Sequence, residues 1–208
     1  MGELLLNYHT TGQGSIYVTH PPEAFADLPD SDWELLISQG FVWYLDFVAF
    51  AGRGQLFSYR VKVHLLSSLA PRNDVSRQIL LPFSVPDEGK LLLGAYTDLP
   101  VSFKIPKGKY KLLFETRYFT DEEIRASTEY DFLTDALEDP DTEIGVIEED
   151  RPEICFLTFV PTDEIVQPKI IYPTQEELKQ LRIHGTEHSA FEAPQDLKLH
   201  NARKPLYT

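Results

Sequence analysis

His184 and His188 are the one histidine pair in this chain at the i, i+4 spacing that lets two imidazoles reach a single metal ion from one helical face. Gly185 between them argues against a helix there, and neither an H-E-x-x-H pattern nor a nearby cysteine completes a ligand set, so no metal site is expected. His9, His20, His64 and His200 are scattered. Cys155, the only cysteine, lies inside the apolar run Ile154-Cys155-Phe156-Leu157. Apolar surroundings raise a thiol's pKa and leave it inert, so Cys155 is read as a core residue. A single cysteine also excludes an intrachain disulfide and a multi-cysteine zinc site. Gly12-Gln13-Gly14 and Gly52-Arg53-Gly54 lack the third glycine or the lysine of a phosphate-cradling loop, and there is no G-x-S-x-G elbow. The expectation is a protein without cofactor or catalytic residues.

Carboxylates are the abundant functional group. Residues 121–150 hold 13 acids and one base, Arg125, whereas residues 1–120 hold 12 acids and 11 bases and residues 151–208 eight acids and seven bases. The three stretches contribute −1, −12 and −1, so nearly all of the net charge of −14 sits in thirty residues. General acid–base work needs two carboxyls in contrasting environments, and a run of clustered acids around Pro140 does not provide that contrast. Asp139, Asp141 and Glu143 alternate in a way that could supply calcium oxygens, yet the EF-hand pattern and its twelfth-position glutamate are missing. The remaining reading is electrostatic: an anionic surface that steers a basic partner. The partner-binding residues expected on it are Asp135, Glu138, Asp139, Asp141, Glu143, Glu148, Glu149 and Asp150. Ile124, Tyr130, Phe132, Leu133, Leu137, Ile144, Val146 and Ile147 interleave with the acids and could anchor an interface or pin the segment to its own domain.

The whole chain has 208 residues, 42% of them hydrophobic and 12% aromatic, which excludes a disordered chain and allows a sizeable core. No apolar run approaches a membrane span and no signal peptide is evident, so a reducing cytoplasm is expected. A charge of −14 argues against binding nucleic acid, where affinity comes from Lys and Arg displacing counterions.

The elements that must position these residues read mainly as strands. Phe57, Tyr59, Val61, Val63 and Leu65 alternate with polar residues, as do Val101, Phe103 and Ile105, and Tyr110, Leu112, Phe114, Thr116 and Tyr118. Gln78–Val85, Lys90–Leu93 and a short Ile16–Thr19 are further strands. Gly40–Phe50 reads as one central strand, and Ile154–Val160 as a strand buried on both faces. Pro86-Asp87-Glu88-Gly89 predicts a turn, and Pro106-Lys107-Gly108 a tight hairpin between its flanking strands. Capping-box patterns begin short helices at Ser31-Asp32-Trp33-Glu34, running Asp32 to Ser38, at Thr120-Asp121-Glu122-Glu123, and at Thr174-Gln175-Glu176-Glu177. The fold expected is mainly β, an antiparallel β-sandwich with a few short helices and a C-terminal helix plus extended tail. Residues 1–165 form the sandwich domain, including the acidic insertion 121–150, and residues 166–208 the helix and tail.

Three segments together carry a family likeness: Trp33-Glu34-Leu35-Leu36-Ile37-Ser38-Gln39-Gly40-Phe41, Leu80 to Gly89 through Pro82-Phe83, and Val101 to Leu112 with its Pro106-Lys107-Gly108-Lys109-Tyr110 turn. In order and spacing, residues 33–119 resemble the ComJ family, the bacterial competence protein J group. The resemblance implies a small intracellular β-sandwich without catalytic residues, whose partner is a basic protein, a nuclease that acts on incoming DNA. The acidic stretch 121–150 and the segment after Pro161 depart from the family pattern. The alternative is a carbohydrate-like small-molecule or calcium-binding sandwich, with Trp43, Tyr44 and Tyr118 as a stacking platform.

Overall fold

The computed structural model describes residues 2–11, 15–20, 36, 40–44, 46–52, 58–85, 89–95, 98–130, 133 and 151–172. They form strands β1 (Glu3–Thr10), β2 (Ser15–Thr19), β3 (Phe41–Trp43), β4 (Phe47–Ala51), β5 (Tyr59–Leu65), β6 (Arg77–Val85), β7 (Lys90–Ala95), β8 (Val101–Lys104), β9 (Gly108–Tyr118), β10 (Glu153–Pro161) and β11 (Lys169–Tyr172). A five-residue helix α1 (Asp121–Arg125) and a 3-10 turn (Thr128–Tyr130) follow β9. The strands make two sheets, ordered β1-β5-β10-β9-β6-β11 and β3-β4-β2-β7-β8. The expected mainly-β sandwich is what forms. One pair departs from the antiparallel rule: β10 runs parallel to β5 while antiparallel to β9.

Alternation explains the layers. Val61, Val63, Ile79, Leu81, Phe83, Leu112, Phe114, Leu157 and Phe159 of the larger sheet meet Ile16, Val18, Phe41, Val48, Phe50, Leu91 and Leu93 of the smaller one in a continuous core. Phe50 and Phe114 stack face to face across the gap with centroids 3.9 Å apart. Burying each such ring is worth about 2–3 kcal/mol. At one end the inner layer turns polar: Arg77 donates to the Ala51 carbonyl of the opposite sheet at 2.6 Å, and Thr116 donates to Glu153 at 2.8 Å. Along one side the sheets are joined by Asp98, which accepts hydrogen bonds from the Thr10 hydroxyl and, at 3.1 Å, from the Thr11 amide.

Two sequence expectations are corrected. Gly40–Phe50 is not one strand but an antiparallel pair, with Phe41 opposite Phe50 and Trp43 opposite Val48. Its nearly all-apolar sequence is satisfied because both faces are covered: Phe41, Trp43, Val48 and Phe50 enter the core, while Val42, Phe47 and Ala49 join an outer cluster with Tyr17 and Leu36. The Pro106–Gly108 segment is not a hairpin turn. β8 and β9 lie in different sheets, so the chain turns a corner there; β6 and β7 likewise belong to different sheets, and of the turn expected at Pro86–Gly89 only Gly89 lies among the described residues. The Ile105 amide donates to the Gly89 carbonyl at 3.0 Å, bracing the corner on Gly89. Gly89 has φ 63°, and a Cβ there would stand 2.5 Å from the Ile105 carbonyl oxygen, so glycine is required. The sequence pattern could not separate a hairpin from a corner, because both need the same turn residues.

β1 and β11 were not anticipated. Leu4-Leu5-Leu6 has no alternation, and the β1–β5 register is irregular there, between Leu4 and Leu6. Of the helix expected over Asp32–Ser38 only Leu36 lies among the described residues; its carbonyl accepts from the Gly40 amide at 3.0 Å. The Thr174 helix, the tail, His184 and His188 lie outside the described residues. Among those described, no helix is long and apolar enough to cross a membrane.

Candidate protein-interaction site

The acidic stretch leaves the sandwich where β9 ends. Thr120 caps α1 as its sequence predicts: its hydroxyl accepts from the Glu123 amide at 3.3 Å, and the Glu123 carboxylate accepts from the Thr120 amide at 3.0 Å. The helix and the 3-10 turn then lay Ile124, Tyr130 and Leu133 over Ile154, Phe156 and Phe119 on the outer face of the larger sheet. This cover is why β10 is apolar on both sides: every residue from Glu153 to Val160 is buried. Tyr130 is fixed further by edge-on contact with Phe119 (5.1 Å) and His9 (5.6 Å), and its hydroxyl accepts from Ser58 at 3.2 Å. So the apolar residues at the start of the stretch, Ile124, Tyr130 and Leu133, pin it to its own domain.

Three arginines from the sandwich engage the first acids of the stretch. Arg117 of β9 holds Glu123 with two bonds, at 2.6 and 2.7 Å. Arg60 of β5 pairs with Glu129. Arg151, just before β10, pairs with Asp121 at 2.6 Å and donates to the Phe119 carbonyl at 3.1 Å. The hydrogen bond from Arg117 is the main cause holding the Glu123 carboxyl below its ordinary pKa, and the same bond raises that of Arg117. Beside Arg117 and Arg151 opens a cleft of about 830 Å³, walled also by Asp74, Phe119, Asp121 and Glu122. The pairing sorts the charge. Asp121, Glu123 and Glu129 are neutralised at the root, while residues 131–150 keep nine acids and no base.

The sequence-expected partner-binding residues Asp135, Glu138, Asp139, Asp141, Glu143, Glu148, Glu149 and Asp150 all lie outside the described residues. What the structure gives is the frame that holds both ends of their segment. The Phe119 amide donates to the Pro152 carbonyl at 3.0 Å, so the chain leaves and returns at one point. Sequence reasoning missed Arg60, Arg117 and Arg151. The clue was available for Arg117, which precedes a capping box whose glutamate must face back along the chain.

Of the other candidates, the calcium oxygens expected from Asp139, Asp141 and Glu143 lie outside the described residues. Cys155 is buried, and burial is the main cause that pushes its thiol pKa far up. Among the described residues no group of three or more His, Cys, Asp or Glu side chains could hold a metal ion. Trp43, Tyr44 and Tyr118 do not form one platform: Trp43 packs in the inter-sheet core, Tyr44 against the outer cluster, and Tyr118 belongs to the other sheet. A small notch of about 290 Å³ touches Trp43, Phe83, Tyr110 and Ile165. Two polar groups at its rim are engaged within the chain, the Tyr110 hydroxyl with the Pro106 carbonyl and Glu164 with Lys111, each at 2.6 Å, whereas the buried Trp43 Nε1 has no hydrogen-bond partner among the described residues.

Two facing sheets, with the first acids of the acidic stretch paired on the larger one, define a β-sandwich protein. Residues 5–137 match the Competence protein J (ComJ) family, and the chain belongs to that family. No curated protein matches significantly. Two solved structures are similar to it. ComJ from Bacillus subtilis, described as the inhibitor of the DNA-degrading activity of NucA, is 17% identical with a TM-score of 0.47, covering 77% of this chain and 99% of its own. The product described as crocagin biosynthetic gene J is 17% identical with a TM-score of 0.45, covering 77% of this chain and 98% of its own.

Proposed function

We propose that this ComJ-family chain is a non-enzymatic binding protein whose anionic excursion occupies the basic, DNA-binding cleft of a nuclease in the cytoplasm. The observation that carries the reading is the distribution of charge: three arginines pair with three of the four acids nearest the fold, and the nine acids of 131–150 have no base among them in the sequence. A polyanionic segment can stand in for the phosphate backbone that a nuclease cleft binds through Lys and Arg, and opposite fields speed the encounter. Family membership supports a protein partner over a small ligand.

The test mixes the purified protein with a cognate DNA-degrading nuclease at low salt and follows complex formation by gel filtration and DNA degradation by gel. A complex together with lost nuclease activity is expected. Free components with undiminished DNA degradation would remove the reading.

A further inference from the structure

We propose that Lys62 and Arg72 form a binding site for a single phosphate group on the outer face of the larger sheet, above Phe156. The site is independent of the nuclease reading. Alternation along β5 turns Val61 and Val63 into the core and Lys62 outward. Along β10 it turns Phe156 outward, and the register sets Phe156 beside Lys62 on one side and Glu115 on the other. The connection from β5 to β6 folds back over this face. The Arg72 guanidinium lies 3.8 Å from the Phe156 ring centroid, and Lys62 Nζ lies 5.9 Å from the same centroid. One aromatic ring thus carries two cations.

These two cations lack what their neighbours have. Arg60, Arg117, Arg151 and Lys111 each hold an acid of the chain. Lys62 holds none among the described residues, in a chain with 33 acids and 19 bases. The charges that act on it are Arg60, Glu123, Arg117 and Arg72, and Glu123 is already gripped by two bonds from Arg117. Burial, and then these cations, push the Lys62 pKa below its ordinary value. The Arg72 Nε stands 4.0 Å from Glu115, beyond hydrogen-bond reach, and that carboxylate already accepts from the Arg72 amide at 2.7 Å and from Gln78 at 2.9 Å. His64, two residues along β5, does not supply a counter-charge. Its Nε2 is buried without a partner, and burial together with Arg72 and Lys62 holds its pKa low, so it is neutral at pH 7.

Two unneutralised cations on one ring call for an anion with about two negative charges. A phosphate monoester carries about −1.5 to −2 at neutral pH, and its several oxygens suit both a guanidinium fork and an ammonium. A carboxylate brings half that charge. Two cations serve one group, and the net charge of −14 still opposes a nucleic-acid backbone.

The experiment titrates the full chain at low ionic strength with inorganic phosphate, phenyl phosphate or acetate, following the Lys62 amide and the His64 imidazole by heteronuclear NMR. Saturable shifts at both positions are expected with phosphate and not with acetate. Lys62→Gln and Arg72→Gln should each weaken binding about tenfold, while Lys104→Gln on the other sheet, with the same loss of charge, should not. Tighter binding of phenyl phosphate would assign the site to an organic phosphate, and binding of inorganic phosphate alone to the free ion. No saturable shift at millimolar phosphate overturns the site. Equal binding of acetate overturns the ligand class, and equal weakening by Lys104→Gln overturns the assigned residues. Should Arg72→Gln fail to fold, Arg72→Lys takes its place, with weakened binding expected because the fork is lost.

Discussion

Arg117 grips Glu123 through two bonds while its Nε faces Asp74 at 3.4 Å, so a single guanidinium ties β9, α1 and the connection between β5 and β6. Folding depresses the Glu123 pKa, chiefly through Arg117. A depressed carboxylate adds stability that is complete above its unfolded pKa and lost as pH falls through the folded one. We therefore expect Arg117→Met to cost about 1 kcal/mol at neutral pH, a modest value because the pair is partly open to water. The melting-temperature gap between variant and wild type should close as the solution is acidified below the ordinary glutamate range. A gap that stays constant from pH 7 into that acid range would contradict the assignment.

Neutralising the far acids addresses the excursion itself. Glu138→Gln, Asp139→Asn, Asp141→Asn and Glu143→Gln together should slow nuclease association about tenfold at low ionic strength. The effect should fade toward about 1 M salt, where the Debye length is only ~3 Å. Stopped-flow rates across a salt series check this. Rates equal to wild type at every salt concentration would reduce 131–150 to a solubility segment.

Gly89 offers a test of the corner. Gly89→Ala places a Cβ 2.5 Å from the Ile105 carbonyl in a left-handed backbone with φ 63°. The expected loss is about 2–3 kcal/mol, from strained backbone plus a displaced neighbour. Urea unfolding measures it, and a loss under about 0.5 kcal/mol would show that the corner relaxes freely.

Cys155 should be chemically silent in the native protein. Its sulfur lies 3.6 Å from the Thr116 hydroxyl inside the core, and burial raises the thiol pKa. A disulfide-exchange reagent at neutral pH should fail to react until denaturant unfolds the chain, and then titrate one thiol per molecule. Prompt reaction in the folded protein would place Cys155 at the surface.

How legible the fold was depends on which physical signal each element carries. Val61 and Val63, or Leu112 and Phe114, announce a half-buried strand by alternating with polar neighbours, and Thr120 announces a helix by its capping partner Glu123. Ile154–Val160 announces double burial by composition, though not what buries it. Nothing local distinguishes Pro106–Gly108 as a corner from the same residues as a hairpin, since the difference lies in which strands pair. The parallel partnership of β10 with β5 is likewise a long-range choice. At the site, the excess of carboxylates could be counted from the sequence. The counter-charges could not be located, because Arg60, Arg117 and Arg151 are separated along the chain and meet their acids only once the sheet is built.

β10 lies between β5 and β9, although it is made after both. A ribosome that has released the whole family-matched span, 5–137, has yet to deliver the strand that unites the larger sheet. Without Glu153–Pro161 the larger sheet is two strand pairs, β1 with β5 and β9 with β6, that no ladder joins. A chain stopped just ahead of Glu153 is therefore expected to lack a continuous larger sheet and to lose cooperative unfolding.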